Sequence, residues 1–336
     1  MKKLLLMCLC LVFGLITACG TNNSTSTEAN EETKDLKDVS IMLDWYPNAV
    51  HSFLYIAKEK GYFEDEGLNV DIQFPANPTD PINLAAAGKI TLGISYQPDV
   101  IIARANQDVK IKSVGAIVRS PLNRVIFMEE SDIQSPKDFE GKTVGFPGIP
   151  LNESLIQSMV KADGGNPENV EMIDVGFELG SSIVSEKVDA VIGAYINHEV
   201  PVLAYEGHNT RNINPTEYGV PSYYELVAVT SDKTWEEEQE SIAAFWRAAT
   251  KGYEFTAEHS EEALEILLNN QDEANFPLVK EVETESLEIL LPLMKSENGF
   301  GSQDQEQWES TISWMKEAGL ITTEPEAEDI FVNIKE

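Results

Sequence analysis

From residue 38 onward, short apolar runs of period two alternate with longer segments whose apolar residues recur every three or four positions. Val39, Ile41 and Leu43 alternate with polar neighbours, which predicts a strand over 38–43. A helix around 50–60, closed by Gly61, follows, then a strand at 69–74, a short helix at 81–88 and a strand at 90–96. A helix around 98–107 and a strand at 111–118 complete a βαβα alternation, the pattern of a largely parallel sheet covered by helices.

A second unit repeats the style. "KTVGFPG" (142–148) reads as strand then turn, 152–163 as a helix and 170–174 as a strand. Residues 178–186 read as a helix, "DAVIGAY" (189–195) as a strand, 197–205 as a helix and "YYELVAVTS" (223–231) as one more strand. After Thr234 only helices are predicted, over 235–258, 260–269, 278–289 and 303–318. A late helical segment without a sheet of its own must pack on an existing lobe. The expected layout is one lobe from 37–120 plus 228–336 and another from 121–227. The chain would cross between them near Ser120-Pro121 and Val220-Pro221, an arrangement suited to closing on a ligand.

The first residues change the picture of where this body sits. Lys2 and Lys3 precede an apolar run too short for a comfortable membrane span, ending Ile16-Thr17-Ala18-Cys19. That is the pattern of a lipoprotein signal over 1–18, cut before Cys19, which then carries the lipid anchor. Residues 19–36 are small and polar, a flexible tether. Cys8 and Cys10 leave with the signal, so the mature chain has no cysteine for a disulfide, zinc site or nucleophile.

Charge excludes a class of partner. The net charge of −33, from 24 basic and 57 acidic residues, repels nucleic acid and disfavours anion capture by a broad basic patch. No P-loop, nucleophile elbow or GxGxxG fingerprint is present, and His198, His208 and His259 lack metal-ligand spacing. Neither a metal nor a cofactor is expected.

One stretch does carry candidate chemistry. "LDWYPNAVHSF" (43–53) places Asp44, Trp45, Asn48 and His51 directly after the first strand, either as a capped core edge or as the floor of a binding site. The longer segment "DWYPNAVHSFLYIAKEKGYFEDEGLNVDI" resembles the opening signature of the NMT1/THI5-like family, and "AAGKITLGISY", "FEGKTVGFPG" and "DAVIGAYINHE" match later landmarks in order. The resemblance spans about 38–318. It implies a two-lobed α/β fold like the type II periplasmic binding proteins, with the ligand cleft between lobes. The family holds solute-binding proteins of ABC importers and a fungal enzyme that makes the thiamine pyrimidine. Within it, this chain most resembles the branch that binds a formylated aminopyrimidine in bacterial thiamine salvage. A monomer is expected, with a pyrimidine ligand, permease and ATPase subunits and the membrane as its partners.

In open α/β sheets ligands sit beyond the carboxyl ends of strands. Those ends offer Asp44, Trp45, Asn48 and His51, then Tyr96, in one lobe. The other lobe offers Gly148, Asn152, Tyr195 and Glu199. For a flat aminopyrimidine, Trp45, Tyr96 and Tyr195 would form the slot and Glu199 would accept from the exocyclic amine. Asn48 and Asn152 can each donate and accept, Gly148 allows close backbone approach, and a helix beginning at Asn152 would present free N–H groups. The bland alternatives are that Trp45 plugs the strand end, that His51 caps its helix and that His198 is structural or exposed.

Two other readings stay open. The synthases of the family work with iron and a cysteine-rich segment, which this mature chain lacks. Relatives of this fold also take sulfonates, nitrate or flavin precursors. An anion binder would use Arg119 or Arg124, whose alternative is a hinge ion pair with an acid such as Glu225.

Overall fold

The computed structural model describes residues 35–274 and 276–334. The expected signal segment, Cys19 and the tether up to residue 34 lie outside the described residues. Ten strands are described: β1 Lys37–Met42, β2 Leu68–Gln73, β3 Leu92–Ser95, β4 Ile111–Val118, β5 Asn123–Met128, β6 Thr143–Phe146, β7 Glu171–Asp174, β8 Ala190–Tyr195, β9 Thr210–Ile213 and β10 Leu226–Ser231. They form two five-stranded sheets, ordered β2-β1-β3-β10-β4 and β7-β6-β8-β5-β9.

In each sheet three neighbouring strands run parallel, and one strand supplied from beyond a crossover runs against them. β1 is parallel to β2 and β3, whereas β10 is antiparallel to β3 and β4. Likewise β6 is parallel to β7 and β8, whereas β5 is antiparallel to β8 and β9. The sequence pattern missed β5 and β9. Val125, Ile126 and Phe127 are consecutively buried, so β5 has no alternation to read, and β9 is four residues at a sheet edge.

The late helices Asp232–Glu258, Ser260–Asn269, Lys280–Met294 and Gln305–Glu317 cover the first sheet. The long helix approaches Ser52–Glu59 so closely that a Cβ on Gly252 would lie 2.1 Å from the Phe53 carbonyl oxygen. Only glycine fits there. Phe53, Leu54 and Phe245 are buried on this face, and Met42, Val227 and Trp308 on the other. Each such side chain contributes about 1.5–3 kcal/mol by leaving water. Among the described residues no helix is long and apolar enough to cross a membrane.

Candidate functional site

The carboxyl ends of β1, β3, β6 and β8 face one another across the gap between the sheets. Because β5 and β10 run the opposite way, their amino ends arrive at the same place. Together these ends line a cavity with about 530 Å³ of space not filled by atoms, open solvent at its mouth included. From the first lobe Asp44, Trp45, Asn48 and Tyr96 reach it; from the second, Asn152, Tyr195 and Glu199. Of the remaining candidates, Gly148 lines a neighbouring cavity with Asp99, and its missing Cβ leaves room for Asp174, 2.8 Å from where that atom would be. His51 lines neither cavity.

The loop after β1 is held by its own polar side chains. The Asn48 Oδ1 caps the short helical turn Ala49–His51 by accepting the Val50 N–H at 3.1 Å. His51 Nδ1 accepts the Asn48 N–H at 3.2 Å, which leaves its proton on Nε2 to be donated to Asp44 Oδ1 at 2.9 Å. His51 is fully buried and both ring nitrogens are occupied within the chain, so it acts by fixing Asp44 and Asn48. The Ala49 N–H donates to Glu283 Oε2 at 2.7 Å, tying the loop to the helix Lys280–Met294. Trp45 meets Phe177 edge-on at 4.4 Å between ring centroids.

In the second lobe Asn123, at the start of β5, positions the expected residue Asn152. Its Nδ2 donates to Asn152 Oδ1 at 2.8 Å, and its Oδ1 accepts the Gly193 N–H at 3.0 Å. The helix begins at Pro150 and not at Asn152, and the Asn152 N–H donates to the Ile149 carbonyl. Asn152 therefore offers the cavity its side chain and not a free backbone N–H. Glu199 Oε2 accepts the Tyr195 N–H at 2.6 Å, which orients its carboxylate beside the cavity.

Beneath and beside the cavity lies a cluster of buried acids and phenols. Glu225 precedes β10 and accepts the N–H groups of Leu122 and Asn123 at 2.6 and 3.0 Å. Burial pushes its carboxyl up to about 7, against the pull of those N–H groups, the Tyr195 hydroxyl and Arg124. Burial, aided by the Glu225 charge, pushes Asp99 up to about 7 as well. Burial raises the Tyr96 and Tyr195 phenols well above their ordinary value, and the Asp44 and Glu225 charges add to the push. They are neutral hydroxyls at any physiological pH.

Asn123 and Glu225 are two polar lining residues that the sequence reading missed, and His198 is one it undervalued. His198 is buried, lines the cavity and has an Nδ1 without a hydrogen-bond partner. Among the described residues no Lys or Arg is in the lining. Arg119 instead pairs with Asp304 and lies over the Tyr224 ring at 5.1 Å, and Arg124 donates to the carbonyls of Pro121 and Asn123.

Two α/β lobes joined by two crossovers, with a polar-aromatic cavity between facing strand ends, make an architecture suited to closing on a small ligand. The chain belongs to the NMT1/THI5-like family, whose model matches residues 48–263. It is 54% identical to the formylaminopyrimidine-binding protein of Halalkalibacterium halodurans, over 99% of both chains. It is 25% identical to the 4-amino-5-hydroxymethyl-2-methylpyrimidine phosphate synthase of Legionella pneumophila, over 74% of this chain and 78% of that one. In fold it is similar to the periplasmic aliphatic sulphonate binding protein SsuA of Escherichia coli, with a TM-score of 0.66 and 13% identity over 89% and 93% of the two chains. That likeness confirms the type II periplasmic-binding-protein architecture. The chain stands with the binding proteins of the family and not with its enzymes.

Proposed function

We propose that the protein is the lipid-anchored receptor of an ABC importer, capturing N-formyl-4-amino-5-aminomethyl-2-methylpyrimidine outside the cytoplasmic membrane for thiamine salvage. The observation that carries this reading is the cation-free aromatic slot. Trp45, Tyr96 and Tyr195 line it, Glu199 is held at its edge by the Tyr195 N–H, and no Lys or Arg among the described residues enters. Such walls suit a flat heterocycle and repel an anion such as a sulfonate. The high identity to a formylaminopyrimidine-binding protein supports the same ligand here.

In this reading the ring stacks in the slot and Glu199 accepts from the exocyclic amine. Asn48 and Asn152 take the remaining edge, while Asp44 orders the first-lobe loop. Closure of the lobes completes the site, and permease subunits recognise the closed form of a monomer tethered through Cys19.

The test is a thermal-shift series with formylaminopyrimidine, hydroxymethylpyrimidine, riboflavin and taurine, with Trp45→Ala and Glu199→Gln as controls. Ligand at a hundred times its dissociation constant adds about 2.7 kcal/mol of stability. Stabilisation by the pyrimidines alone, lost in both variants, is the expected result. A shift with taurine or riboflavin only would overturn the ligand.

A further inference from the structure

A second cavity opens beside the first. It spans about 1620 Å³ of space not filled by atoms, open solvent at its mouth included, and the two share His198 and Glu199 in their walls. Its chemistry differs. Tyr46 and Phe276 stack at 4.8 Å with their planes within 6° of parallel, and Phe177 forms another face. Among the described residues four carboxylates line it, Glu178, Glu199, Glu206 and Glu283, and no Lys or Arg does.

An acidic lining alone would be an ordinary solvated surface. Here it accompanies aromatic faces and a buried imidazole, His198, whose Nδ1 has no hydrogen-bond partner among the described residues. The His198 ring packs edge-on against Tyr46 at 5.8 Å, so it stands in the partition between the two cavities. A ligand seated in the first cavity and extending past His198 would satisfy that nitrogen and enter the second. Aromatic faces and carboxylates without a counter-cation favour a positively charged ring or alkylammonium group. The same carboxylates repel phosphate.

We propose that the second cavity is a subsite for a cationic, preferably aromatic, substituent on the aminopyrimidine ligand, and that it rejects phosphorylated substituents. This rests on the reading that the first cavity holds the aminopyrimidine. The receptor would thus accept intact two-ring compounds as well as their pyrimidine fragment.

Thiamine, an aminopyrimidine joined through one methylene to a cationic thiazolium, is the probe. Its binding is compared by titration calorimetry with that of formylaminopyrimidine and of thiamine monophosphate. The protein is the wild type, the Glu178→Gln/Glu206→Gln double variant and Phe276→Ala. Glu178 and Glu206 are exposed and outside the pyrimidine slot, so the double variant is expected to fold and to bind formylaminopyrimidine unchanged. Thiamine should bind the wild type, lose roughly fivefold in affinity per carboxylate removed, and weaken in Phe276→Ala. Thiamine monophosphate should bind more weakly than thiamine. Binding of formylaminopyrimidine without any binding of thiamine overturns the subsite and leaves the function standing. Thiamine binding that is indifferent to all three substitutions also overturns it. Failure of both pyrimidines to bind overturns the function and the subsite together.

Discussion

Asn123 and Glu225 lie on different crossovers and are joined directly, the Asn123 backbone N–H donating to Glu225 Oε2 at 3.0 Å. The same carboxylate oxygen takes the Leu122 N–H, so one buried acid fastens both connections between the lobes. Its position ties the cavity floor to the hinge, and its protonation state has a stability consequence.

Burial raises Glu225 and Asp99 to about 7 each, above the 4.5 and 3.8 usual for these side chains. Between the unfolded and folded values the native chain holds protons that the unfolded chain has released. Stability from these groups is therefore fully present below about pH 4 and is lost as pH rises through 7. The loss is on the order of 3–4 kcal/mol per group at most. Urea midpoints at pH 5 and pH 8 should differ for the wild type and converge in Asp99→Asn/Glu225→Gln. Equal pH slopes in both proteins would rule out this account.

The pattern of apolar residues located the parallel strands and the late helices because each is either alternating or amphipathic. The same reading placed site residues only at the carboxyl ends of strands. That rule finds Asp44, Tyr96 and Tyr195 but is blind to a reversed strand, whose amino end reaches the cleft instead. Asn123 and Glu225 sit at such amino ends, and the reversal of β5 and β10 emerges only from sheet pairing. For His51 the helix-capping alternative describes the structure. Its spacing from Asp44 brings it to the site loop, but the turn Ala49–His51 directs its ring inward.

His51→Ala should destabilise the chain through Asp44. It removes the donor at 2.9 Å and leaves a buried carboxylate without its partner, which costs about 3 kcal/mol. Asp44→Ala/His51→Ala should cost less than the sum of the single changes, because the second substitution removes the stranded charge. Denaturant unfolding of the three variants measures the coupling. Additive losses would show that the pair is not an energetic unit.

Asn123→Ala should weaken ligand binding without touching ligand. Asn152 would lose the hydrogen bond that fixes its Oδ1, and the Gly193 N–H would lose its acceptor. The expected loss is about tenfold in affinity together with about 1–3 kcal/mol of stability. Asn152→Ala in the Asn123→Ala background should then add less to the binding loss than it does in the wild type. Calorimetry on the four proteins of this cycle distinguishes positioning from independent contact.

Gly193→Ala tests whether the floor of the slot tolerates any added atom. Gly193 has φ of +93°, in the left-handed region where a side chain strains the backbone, at a cost of about 1–3 kcal/mol. A Cβ would also lie 2.7 Å from Pro147 Cδ and 3.1 Å from Asn152 Nδ2, both residues of the cavity lining. The neighbour on one side is a rigid ring, so the displacement falls on Asn152. Binding should therefore fall by more than stability alone accounts for, read as a lost thermal shift at a temperature where the variant is fully folded. Gly67→Ala is the control: its φ is +78°, yet no atom lies within 4 Å of the added Cβ. That variant should share the backbone cost and keep the ligand shift. If both variants bind equally well, the packing of Pro147, Gly193 and Asn152 does not set the shape of the slot.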